Sequence, residues 1–134
     1  MKKIGFIGAF EKTDLIVYIA KILTEVKKRV LVVDTTILQK ARYIIPCIAP
    51  TKSYVTEYEG IDVAVGFDDL ESLNKYMGNI ENDYDIILVD VDSYEKFDAF
   101  ELMNSEKLYF VTAFDSFSLK KGIEIIGTMR QKVK

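Results

Sequence analysis

Two apolar runs that each close on an aspartate constrain this chain more than any other feature. Val30-Leu31-Val32-Val33 leads into Asp34, and Ile86-Ile87-Leu88-Val89 leads into Asp90. Neither run alternates apolar with polar residues. Strands of that kind are covered on both faces, which is the condition of a central strand in a parallel sheet. Lys3 to Gly8 is a third such segment and ends at a glycine. Ile61 to Phe67 and Leu108 to Thr112 supply two more strands.

Helical spacing fills the intervals. Thr13 to Lys28 carries Leu15, Ile16, Ile19, Ala20, Leu23 and Val26 at helical intervals. A short helix is predicted from Leu38 to Ile45, stopping at Pro46. Asp68 and Glu71 have capping-box spacing, so a helix is predicted to start at Asp68. Further helices are predicted around Lys96 to Met103 and over Ser116 to Lys132. The stretch from Pro46 to Glu59 lacks a period and reads as a loop with a short edge strand. The resulting fold class is α/β: a doubly wound, mainly parallel five-stranded sheet with helices on both faces, forming one domain over residues 1–134. Ligands in such sheets sit beyond the carboxyl ends of the strands. The segments to inspect are therefore Gly8 to Asp14, Asp34 to Thr36, Asp90 to Ser93 and Thr112 to Ser116.

Composition removes several function classes. The chain has no histidine and one cysteine, Cys47, set among apolar neighbours. A Ser–His–Asp triad, a Cys–His pair and a His-ligated metal are excluded. The net charge of -3 argues against nonspecific nucleic-acid binding. The basic C-terminal stretch with Lys120, Lys121, Arg130, Lys132 and Lys134 reads as a solvated helix face. Met1-Lys2-Lys3 precedes an apolar run too short for a signal peptide. No stretch approaches the length of a transmembrane segment, so a cytoplasmic location is expected.

The first strand-to-helix junction reads Ile7-Gly8-Ala9-Phe10-Glu11-Lys12-Thr13-Asp14. It resembles the deviant Walker A loop of the ParA/MinD ATPases, Lys-Gly-Gly-x-Gly-Lys-Thr-Thr. Gly8 falls on the first glycine, Lys12 on the phosphate lysine and Thr13 on the magnesium hydroxyl. Asp34 and Asp90 resemble the acidic strand ends of that family, with Asp90 in the Walker B position. The resemblance implies ATP and magnesium as ligands, with Gly8, Lys12, Thr13, Asp34 and Asp90 binding the nucleotide and Thr13 and Asp90 on the metal. It also implies the strand order 3-2-4-1-5. The chain departs from the pattern at Ile7, which replaces the signature lysine. Ala9 and Glu11 replace glycines, and Asp14 replaces the second threonine. The family's C-terminal part, which holds the adenine, has no counterpart in these 134 residues.

The same residues also fit an architectural reading. Asp34 and Asp90 then end strands, Thr13 caps a helix, and Glu11 and Asp14 neutralise its N-terminus. The expected function is a degenerate ParA/MinD-like domain with little or no ATPase activity. It resembles the CpaE/TadZ type, which implies an adaptor or positioning role in pilus or secretion assembly with a protein partner. A working ATPase of the same family is the alternative. Tyr84 to Phe114 also resembles a response-regulator receiver, which would be phosphorylated at Asp90. ATP–magnesium is expected to bind no tighter than about millimolar. A homodimer, if formed, is expected to assemble without ATP through apolar surface, with Phe97, Phe100, Phe114 and Phe117 as candidates.

Overall fold

The computed structural model describes residues 1–8, 12–36, 53–78, 80–111, 120–121 and 123–128. The predicted helix from Leu38 to Ile45 and the residues Ala9, Phe10, Glu11, Cys47, Thr112, Phe114 and Phe117 lie outside them.

Among the described residues, six strands form one sheet: β1 (Lys2–Ile7), β2 (Val30–Asp34), β3 (Tyr54–Tyr58), β4 (Ile61–Val65), β5 (Ile86–Val91) and β6 (Lys107–Phe110). Their spatial order is β3-β4-β2-β5-β1-β6. The five predicted strands occupy the expected order 3-2-4-1-5, all parallel. The count of five is corrected to six by β3. This strand is the short edge strand expected within the Pro46 to Glu59 stretch, and it pairs antiparallel with β4, from Tyr54 opposite Val65 to Tyr58 opposite Ile61. Its burial is mostly partial, as befits an edge strand, so it lacks the fully apolar run that marks the central strands.

Alternation along the central strands divides the core. Val30, Val32, Ile86 and Leu88 join Ile16, Val17 and Ala20 on one face. Leu31, Val33, Ile87 and Val89 join Leu73, Phe97 and Phe100 on the other. Helix α1 (Thr13–Glu25) covers the first face. The second is covered by α2 (Leu70–Met77), α3 (Ile80–Asp83), α4 (Tyr94–Ala99) and the 3-10 turn Leu102–Asn104, with Ile125 from the helical residues 123–128. The period of two therefore fixes what each strand-end aspartate faces. Asp34 and Asp90 share parity with Val32 and Leu88, so both lie on the α1 side.

Several boundaries shift for local reasons. Helix α1 stops at Glu25 rather than Lys28 because Lys27 turns into the left-handed region, φ +67°. Its N–H bonds Thr24 O at 3.0 Å and that of Lys28 bonds Leu23 O at 3.1 Å, closing the helix end. Helix α2 is capped by Asp69, not Asp68: the Asp69 carboxylate accepts from Ser72 N at 2.7 Å. The helix predicted over Lys96 to Met103 begins earlier, at Ser93, whose hydroxyl accepts from Lys96 N. It breaks at Glu101, which is left-handed at φ +54°.

Candidate functional site

β1, β2 and β5 are neighbours, and they end together beside the N-terminus of α1. Phe6 of β1 and Asp34 of β2 both stand in register with Asp90 of β5. The chain leaves β1 at Gly8, whose φ of +152° only glycine adopts readily. A Cβ there would lie 2.0 Å from Val111 O, so no other residue fits. Gly8 N donates to Val91 O at 3.1 Å, tying the loop's first residue to β5.

Lys12 occupies the N-cap position of α1, and its side chain makes no capping bond. The architectural expectation that Thr13 caps the helix is thereby corrected: Thr13 is the first helical residue and is buried. Lys12 instead sends its ammonium inward. Nζ lies 2.6 Å from Asp90 Oδ1 and donates to Gly8 O at 2.8 Å. Both ionisable residues are only 2% exposed. Asp14 lies in the first turn of α1 and is exposed, and Glu11 lies outside the described residues.

Burial lifts the Asp90 carboxyl to about 7. Lys12 pulls the other way through charge and hydrogen bonding, while Asp34 and Asp92 push it up. Desolvation outweighs the ion pair because a carboxylate this deep has lost nearly all its water.

Asp34 is held locally. Its Oδ1 accepts from Thr36 N at 2.9 Å and from Thr36 Oγ1 at 2.5 Å. Thr35 was visible in the sequence only as part of a strand-end segment, yet it fastens β2 to β5. Its backbone N–H and its hydroxyl both donate to Asp90 O, at 3.0 and 2.7 Å. The signal for it is the position immediately after an apolar strand, where a buried hydroxyl finds a neighbouring carbonyl.

Gly8, Lys12, Asp34 and Asp90 thus come together at adjoining strand ends, and Thr13 is buried beside Lys12 at the start of α1. Among the described residues no group of three or more His, Cys, Asp or Glu is arranged to hold a metal ion. No helix among them is long and apolar enough to cross a membrane. Chemically, the cluster holds one ammonium against two carboxylates, one of which titrates near neutrality. A scan against protein-family models found no match, and a search of curated proteins found none either.

Proposed function

We propose that this chain is a degenerate P-loop-like domain of the ParA/MinD kind, with little or no ATPase activity, that works as an adaptor or positioning protein. One observation carries the reading: the lysine at the phosphate position is buried and neutralised by Asp90 at 2.6 Å. A phosphate would have to draw that ammonium away and leave a carboxylate buried without its partner, which costs about 3–5 kcal/mol. Gly8 N–H, the first amide of the loop, is likewise engaged with Val91 O. A magnesium ion reaching Asp90 would compete with the same ammonium. These residues fit a charge-paired internal site better than a nucleotide cradle, whose amides and lysine stand open to phosphate.

The working-ATPase reading draws on the meeting of Gly8, Lys12, Asp34 and Asp90 at adjacent strand ends, with Thr13 opening α1 beside them. The receiver reading needs an aspartate open to a phosphoryl donor, and Asp90 is 2% exposed. The link to pilus or secretion assembly follows from the sequence resemblance alone, since a fold does not give a function.

Phosphate release with ATP and magnesium tests the reading. Wild type is expected to match Lys12→Ala at background. Turnover that is present in wild type and lost in folded Lys12→Ala would establish the ATPase instead.

A further inference from the structure

The two edges of the sheet are finished differently. At one edge, β3 exposes Glu57, and Glu59 just past the strand pairs with Lys21, whose ammonium also lies 5.4 Å from the centre of the Tyr58 ring. Charged side chains of this kind keep an edge strand from pairing with another chain. At the other edge, β6 pairs only with β1 among the described residues. Tyr109 and Phe110 are 45 and 47% exposed there. The run from Leu108 to Phe114 contains no charge and no proline. An open, apolar, uncharged edge is a template for a further strand.

The ladder to β1 shows which backbone groups are open. Val111 N donates to Ile7 O at 2.9 Å, and Ile7 stands in register with Phe110. Alternation along a parallel pair therefore turns the N–H and C=O of Tyr109 toward β1, and those of Leu108 and Phe110 outward. Side chains alternate as well. Tyr109 stacks on Phe6 on the α1 face, with centroids 5.5 Å apart, and Leu108 packs with the core of the opposite face.

We propose that β6 pairs with β6 of a second copy of this chain, antiparallel about a two-fold axis at Tyr109, so that the two sheets join into one. Such an axis stands perpendicular to the sheet and keeps each face on its own side, so residues of equal parity meet. Tyr109 then faces Tyr109 of the other copy as a non-hydrogen-bonded pair, where side chains approach most closely. Leu108 of each copy exchanges its outward N–H and C=O with Phe110 of the other. Lys107 falls opposite Val111, so no like charges meet. An identical strand thus supplies the spacing of open groups, the matching faces and the absence of charge that this edge requires. β6 is 4 residues long, so the dimer is weak, on the order of 100 μM. This edge replaces Phe97 and Phe100 as the association surface, since both are fully buried. The inference stands apart from nucleotide binding.

Sedimentation equilibrium of the whole chain without nucleotide, from about 10 to 500 μM around the expected affinity, tests it. Wild type is expected to dimerise. Phe110→Pro removes only an outward N–H, a change that an edge strand tolerates, and should stay monomeric with the circular dichroism of the folded protein. Tyr109→Lys and Tyr109→Glu each place like charges together at the axis and should weaken the homodimer at least about tenfold, equivalent to about 1.4 kcal/mol. Mixing these two should restore dimerisation, because lysine then faces glutamate; this arm decides the matter even where Phe110→Pro fails to fold. A wild type that is monomeric throughout overturns the proposal. A dimer that survives folded Phe110→Pro, or charge variants that do not recover on mixing, also overturns it.

Discussion

The two ends of the β2–β5 pair carry the same chemistry in opposite settings. At the carboxyl ends, Lys12 meets Asp90 with both side chains almost fully buried. At the amino ends, Arg29 meets Asp85, with Nη2 3.2 Å from Oδ1 and side chains 59 and 36% exposed. Asp85 is held below the usual carboxylate range by Arg29 side-chain and backbone hydrogen bonds. Asp90 is pushed up to about 7 despite its lysine. A basic partner pulls the carboxyl down in both places, but it prevails where water remains and is outweighed where water is gone. Proximity of opposite charges therefore does not decide the sign of a shift; the desolvation behind it does.

The largest expected effect comes from taking the inner pair apart. Lys12→Met leaves Asp90 buried without its cation and is expected to lower unfolding free energy by about 3–5 kcal/mol at pH 9, by urea denaturation. At pH 5 the cost should be much smaller, because Asp90 is then already protonated. Lys12→Met/Asp90→Leu should recover most of the loss, since apolar replacement of a buried pair is often neutral or better. A penalty independent of pH would break the contrast between the two ends.

A smaller effect isolates Asp90. Its carboxyl has a higher folded than unfolded value, so its stabilising contribution is present below about 4 and lost as pH rises through about 7. Wild type should therefore lose stability relative to Asp90→Asn between pH 5 and 7, with a slope of up to about 1.4 kcal/mol per pH unit. Parallel stability curves for the two proteins would show that Asp90 is ionised throughout. The smallest effect belongs to the outer pair. Arg29→Ala should lower the melting temperature slightly, and about 0.5 M salt should erase the difference, because exposed pairs are screened. A large, salt-resistant loss would remove the distinction between the ends.

What the sequence disclosed follows the same division. The apolar runs ending in Asp34 and Asp90 identified the central strands, and the parallel order follows once each run is covered on both faces. β3 was harder to read because an edge strand has only one covered face and so a weaker pattern. The cap at Asp69 competed with an equally good acid one residue earlier. That Gly8, Asp34 and Asp90 would lie close together was legible, because each closes a strand and the three strands are neighbours in the sheet. The place of Lys12 was not. The spacing of Lys12 and Asp90 along the chain says nothing about an ammonium folding back 2.6 Å from a carboxylate. Nor could the apolar period of α1 separate inner from outer faces, since Leu15 and Ile16 both scored as apolar and only Ile16 is buried.

The central claim is that Lys12 belongs to Asp90 and not to a phosphate. Titration calorimetry of wild type with ATP and magnesium at pH 8, where Asp90 is ionised, tests it most directly. Saturable binding is expected only at or above about 1 mM, roughly 4 kcal/mol. Micromolar binding that disappears in folded Lys12→Ala would contradict it.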